Sequence, residues 1–120
     1  MKENIIKIKS FDFALRVVKL YRYLIVEKKE FVLSKQLLRS GTAIGALIRE
    51  SEHAESKADF IHKLSIALKE ANETEYWIEL LHKSDFIDEK SFESIRTDLT
   101  ELLKLLITIV KTSKLKTDKQ

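Results

Sequence analysis

The sequence predicts an all-α domain spanning residues 1–120, an antiparallel up-down-up-down four-helix bundle. Three observations lead there. The chain has no proline and only two glycines, too little punctuation for the turns of a β-rich fold. Apolar residues recur at intervals of three and four through four long segments. The polar breaks between those segments are short, which sets consecutive helices antiparallel. At 120 residues with 44% hydrophobic content, one domain with a modest core is the natural size class.

The first helix is predicted over residues 11–29, with Ser10 as its N-cap. Phe11, Ala14, Val18, Tyr21 and Ile25 form one stripe, and Phe13, Val17, Leu20 and Leu24 a second beside it. The charged run Glu27–Glu30 reads as an exposed link. The second helix is predicted over 31–53 on a spine of Leu33, Leu37, Ile44 and Ile48, flanked by Leu47. It holds both glycines, Gly41 and Gly45, near Ser40, Ala43 and Ala46. A glycine inside a helix costs roughly 1 kcal/mol, and close approach of a neighbouring helix is the expected offset. A phosphate-cradling loop is the alternative, but the G-x-x-x-x-G-K-[ST] pattern is missing.

The third helix is predicted over 57–83, behind the cap signal Ser56-Lys57-Ala58-Asp59. Phe60, Leu64, Ala67, Ala71, Thr74, Ile78 and Leu81 form its inner line. In the link from Ser84 to Asp88, Phe86 and Ile87 are expected to close the bundle end. The fourth helix, over 89–111, has a strict seam at Phe92, Ile95, Leu99, Leu102, Leu106 and Ile109, with Leu103, Ile107 and Val110 as a second stripe. The polar tail 112–120 is expected to be disordered. Double apolar stripes on the first and fourth helices suggest a subunit interface; one broad core is the alternative.

The net charge of +3 conceals an asymmetry. Residues 1–50 carry eleven Lys and Arg against five Asp and Glu, and residues 51–110 carry seven against thirteen. Such a chain can offer a basic surface to an anionic partner, or its two halves can face each other within or between subunits. With no cysteine there are no disulfides or thiolate metal sites. No apolar run has the length of a signal peptide or a membrane span, so a cytoplasmic protein without a membrane partner is expected.

Enzyme chemistry finds little support. Four-helix bundles hold di-metal centres on Glu and Glu-x-x-His pairs. Three approximations occur here: Glu50 with His53, Asp59 with His62, and Glu79 with His82. The third lies about 30 Å along its helix from the second, so the three cannot converge; no metal or cofactor is expected. Helical RNases with an R-x(4–6)-H motif need a spacing that Arg49 and His53, three residues apart, do not give. Trp77, next to Tyr76, reads as a partly buried bundle aromatic, with base stacking as the sharper alternative.

The clearest charge feature is in the first two helices. Between Asp12 and Glu27 the only charges are Arg16, Lys19 and Arg22, and between Glu30 and Arg49 only Lys35 and Arg39. On antiparallel neighbours these residues, with Arg49, could form one acid-free strip suited to phosphates. The alternative is a solvated face paired with the acids of the third and fourth helices.

The run Gln36–Glu50, QLLRSGTAIGALIRE, followed by Ser56–Phe60 and LSIALKEANETEYWIELL at 64–81, resembles the 23S rRNA-intervening sequence proteins. Phe11, Ala14 and the Tyr21 region fit the same pattern, and the resemblance extends over about residues 10–110. It implies an antiparallel four-helix bundle assembled as a ring, a homopentamer. A related group, the accessory proteins of diversity-generating retroelements, implies contact with nucleic acid and a reverse transcriptase through a basic surface. The positions carried over are Gln36, Arg39, Gly41, Ile44, Gly45, Arg49 and Glu50, with Ser56, Asp59 and Phe60 at the next cap. Where the family commonly has Ser-Ile-x-x-Asn, this chain has Ala43, Ile44 and Leu47, which removes two polar groups from that helix. The expected function is a non-enzymatic oligomer associated with RNA or a nucleoprotein through its basic surface. A structural or protein-interaction oligomer is the alternative.

Overall fold

A computed structural model describes residues 2–118, and the side chains of residues 5–116. It contains α1 (Lys2–Val26), α2 (Leu33–Ser51), α3 (Lys57–Lys83) and α4 (Glu89–Asp118), and among the described residues no strand. α1 packs on α2, α2 on α3, α3 on α4, and α4 closes back onto α1. Cross-helix pairs set the directions. Val17 meets Gly41 while the earlier Ser10 meets the later Gly45, so α1 and α2 are antiparallel. Arg39 reaches Glu70 and Glu73 while Glu50 reaches Lys63, which gives the same relation for α2 and α3. Arg16 pairs with Asp98 and Lys9 with Glu101, so α1 and α4 are antiparallel too. The molecule measures 52 × 22 × 20 Å.

Phe13, Val17 and Leu24 of α1 and Leu37, Ile44 and Ile48 of α2 enter the core. They meet Leu64, Ala67, Ala71, Ile78 and Leu81 of α3, and the whole α4 seam from Phe92 to Ile109 is buried beside them. Each large apolar side chain removed from water contributes about 1.5–3 kcal/mol. A polar pair bridges two helices inside the bundle. The Ser40 and Thr74 hydroxyls, both fully buried, share a 2.9 Å hydrogen bond between α2 and α3.

The helix ends differ from the sequence reading in ways that have physical causes. α1 begins at Lys2, so Ser10 is not an N-cap. It lies mid-helix and buried against Gly45, its hydroxyl donating back to the Lys7 carbonyl at 3.1 Å. α4 runs on through Asp118, so residues 112–118 are helical and not frayed, with Val110 and Ser113 buried; residues 119–120 lie outside the described ones. The Glu27–Glu30 run is not uniformly exposed. Glu30 is buried, and its carboxylate accepts the amides of Val32, Leu33 and Ser34 at 2.7–3.0 Å, so it does the work of a cap for α2.

The other links follow familiar cap chemistry. Ser56 accepts the Asp59 amide while Asp59 accepts the Glu55 amide, a reciprocal cap at α3. Asp88 accepts the Ser91 amide at the start of α4. The links that follow α1 and α3 each contain a residue of positive φ, Lys29 at 54° and Asp85 at 67°, where glycine is the usual choice. Phe86 packs on the core and Ile87 is buried in it, which closes that end.

Candidate nucleic-acid interface on helices α1 and α2

The six cations singled out in the sequence do not share one surface. Arg16 lies in the α1–α4 seam, donating to Asp98 at 2.6 Å and to the Ser94 carbonyl and hydroxyl at 3.2 and 3.0 Å. Arg39 lies in the α2–α3 seam on the opposite side of α2 from α1, bridging Glu70 and Glu73. The Trp77 indole N–H, together with Arg39, holds the Glu73 carboxyl below the usual carboxylate range even though burial opposes it. Bonds to Glu70 and Glu73 push Arg39 up. These two arginines are paired with acids of the fourth and third helices. Trp77 is half-buried, edge-on to Tyr76, and its indole is used by Glu73.

The other four lie elsewhere. Thr42 and Arg49 line the groove between α1 and α2 with Phe11 and Ala14, and Lys35 sits two turns before Thr42 on the same face. Arg22 is three turns after Phe11, on the α1 side of that groove. Lys19, on the α1–α4 side with Arg16 and Asp88, and Arg22, Lys35 and Arg49 are all exposed, and none pairs with an acid among the described residues. Arg49 instead lies over the Phe11 ring, 5.1 Å from its centroid. The α1–α2 side therefore keeps a shorter basic strip than the sequence suggested. Lys35 and Arg49 stand about 21 Å apart along α2.

Gly41 and Gly45 mark where α1 and α2 come closest. Both lie inside α2 with ordinary helical φ, which excludes a phosphate-cradling loop at this point. A methyl group at Gly41 would stand 2.8 Å from a Val17 methyl, and at Gly45 3.4 Å from the Ser10 carbonyl.

The outward side of α1 carries what the sequence stripes missed. Ile8, Leu15 and Val26 follow helical spacing and are 62%, 49% and 58% exposed, with Phe11 and Tyr23 beside them. On the first predicted stripe only Phe11 is exposed; Ala14, Val18, Tyr21 and Ile25 are half-buried along the bundle's side. The signal for the outward line was present as Ile8, Leu15 and Val26, but the wide inner face obscured it.

The three histidines do not converge. His53 and His62 are exposed near the α2–α3 link, and His82 stacks on Phe92 at the other end, bonded to Glu89. Among the described residues no group of three His, Cys, Asp or Glu is placed to hold a metal ion, and no helix is long and apolar enough to cross a membrane.

With the helices and the tight α1–α2 contact defined, the chain can be compared with known proteins. The family model of the 23S rRNA-intervening sequence protein matches residues 2–108. The chain belongs to that family. A solved structure agrees: a protein of unknown function from the S23 ribosomal protein family of Bacteroides thetaiotaomicron VPI-5482 is 62% identical. The match covers 92% of this chain and 99% of that one, with a TM-score of 0.91. No curated protein matches. Membership extends to residue 2, beyond the span of the sequence resemblance, in keeping with an α1 that begins there.

Proposed function

We propose that this member of the 23S rRNA-intervening sequence protein family is a non-enzymatic assembly module that binds nucleic-acid phosphate and associates with copies of itself. The observation that carries the nucleic-acid part is the α1–α2 side, where Arg22, Lys35 and Arg49 stand exposed with no carboxylate partner among the described residues. Three such cations suit a sequence-independent contact with a phosphate backbone. Self-association is supported by the outward line Ile8, Leu15 and Val26, whose exposure in a lone chain is costly. A homopentameric ring is the assembly the family resemblance implies.

Binding to structured RNA and to duplex DNA, followed by fluorescence anisotropy over a salt series, tests the first part. Affinity should fall linearly in log–log with salt, and each of Arg22→Ala and Lys35→Ala should flatten the slope by about 1. Absence of binding at low salt removes this part. Light scattering on Leu15→Glu tests the second: the mass should drop to that of one chain.

A second reading, a structural or protein-interaction oligomer with no nucleic-acid role, is favoured by Lys9, Arg16 and Arg39. Each is already paired with an acid of its own chain. It predicts a mass above one chain together with no salt-dependent binding.

A further inference from the structure

An aromatic ring stands open on the basic side of the bundle. Phe11 is 48% exposed, and the Arg49 guanidinium lies over it, 5.1 Å from the ring centroid. The other cation–ring contacts among the described residues, Lys57 on Phe60 and Arg96 on Phe92, use rings that are half-buried or buried. Phe11 and Arg49 bound a hollow of about 230 Å³ in the α1–α2 groove, together with the uncharged Ala14, Thr42, Gly45 and Ala46.

The charges around this groove favour an anion once each is counted. Lys7 and Arg22 of α1 meet Lys35, Arg49, Glu50 and Glu52 of α2. Both of those carboxylates are held already, Glu52 by Lys7 at 3.2 Å and Glu50 by Lys63 at 3.3 Å. Asp12 faces away and lines the α1–α4 seam with Lys9 and Arg16. In the link past α1, Lys28 and Lys29 outnumber the exposed Glu27. Arg22 lies five residues after Val17 and Lys35 six before Gly41, so both stand about 8–9 Å along the groove from the Val17–Gly41 contact. The Phe11 ring is on the other side of that contact, about 17 Å from Arg22 at the helical rise.

Phosphate alone leaves the ring without a role. The bases of a duplex are stacked within it and offer only their edges, so a duplex seated on these cations gives Phe11 nothing to stack on. An unpaired strand supplies both chemistries: phosphates for the cations, and a base face for the ring or the guanidinium plane.

We propose that the α1–α2 groove takes a single-stranded nucleic acid, with an unpaired base in the hollow against Phe11 and Arg49 and phosphates of the same strand on Arg22 and Lys35. The proposal rests on the phosphate-binding reading above and names the form of nucleic acid that satisfies it.

Fluorescence anisotropy over a salt series tests it with three probes of one length, about 12 nucleotides. They are an unstructured strand, its duplex, and an abasic strand that keeps the phosphates. The strand is run as RNA and as DNA, and a Phe11-dependent loss in either supports the proposal. Phe11→Leu keeps an apolar side chain and removes the stack. It should weaken strand binding by about five- to hundredfold without changing the salt slope, and leave the duplex affinity as it was. Phe11→Trp should bind the strand at least as tightly as the unaltered chain. The abasic strand should lose the same factor with the unaltered chain and nothing more with Phe11→Leu. Equal effects of Phe11→Leu on strand and duplex, or no effect on either, overturn the proposal. So does a Phe11→Leu chain that changes only its mass in light scattering, which would place Phe11 in the self-association surface. Failure of the phosphate reading looks different: no probe, duplex included, then binds with a salt dependence, and both readings fall together.

Discussion

Replacing each of the two α2 glycines by alanine should move stability in opposite directions. Either change gains about 1 kcal/mol of intrinsic helix preference. At Gly45 the new methyl meets the Ser10 carbonyl at 3.4 Å, an ordinary contact, so most of that gain should survive and Gly45→Ala should stabilise by up to about 1 kcal/mol. At Gly41 it meets the two Val17 methyls at 2.8 and 2.9 Å. That is about 0.7–1 Å inside the best carbon–carbon separation. Val17 is fully buried and β-branched, so it cannot swing aside, and α1 must shift. Overpacking of this kind costs roughly 1–3 kcal/mol, which leaves Gly41→Ala destabilising by up to about 2 kcal/mol after the helix gain. Urea unfolding at one fixed protomer concentration reads both values, with m unchanged. Val17→Ala should relieve Gly41→Ala, so that the double variant is more stable than the sum of the two single effects. If Gly41→Ala is as stable as Gly45→Ala, the close α1–α2 approach is wrong as described.

Other consequences follow from the links and the core. Burial alone pushes the Glu30 carboxyl up, but the amides of Ser34, Leu33 and Val32 outweigh it and hold the group below its ordinary value of 4.5. A carboxyl lowered on folding stabilises above its unfolded value, and this contribution should disappear as pH falls from about 4.5 through the lowered value. Glu30→Ala should cost about 0.5–2 kcal/mol at neutral pH and flatten that acid limb, both measured by thermal unfolding across pH. Lys29→Gly and Asp85→Gly relieve positive φ in the links after α1 and α3 and should each stabilise by roughly 0.5–1 kcal/mol in urea titrations. Thr74→Val should cost about 1 kcal/mol by stranding Ser40, and adding Ser40→Ala should recover much of it in the same titrations.

Sequence periodicity was enough to read helices wherever the inner line was long. The α4 seam and the reciprocal cap at Ser56 and Asp59 are examples, because each depends on residues only three or four apart. The role of Gly41 was legible for the same reason: a small residue inside a helix needs a close neighbour. What could not be read depends on partners far along the chain. Ser10 looks like a cap because its own neighbours permit one; only the approach of Gly45 makes it a buried contact residue. Glu30 sits in a charged run, and its burial follows from the turn at Lys29, which folds three amides onto it. Arg16 and Arg39 belonged to the strip by spacing along the chain, yet Asp98, Glu70 and Glu73 lie 82, 31 and 34 residues away, and helix packing sets those meetings.

Of the six cations singled out in the sequence, the same packing leaves Lys19, Arg22, Lys35 and Arg49 without an acid partner among the described residues, so the most direct test of the proposed interface compares the two groups in one titration. Binding of a structured RNA should be measured by anisotropy against salt for Arg22→Glu with Lys35→Glu, and separately for Arg16→Ala with Arg39→Ala. The first pair should weaken binding by about tenfold or more at low salt and flatten the salt slope by about 2, while the second should leave the slope nearly unchanged. Equal losses for both pairs, or no salt-dependent binding by the unaltered protein, would contradict the proposed interface.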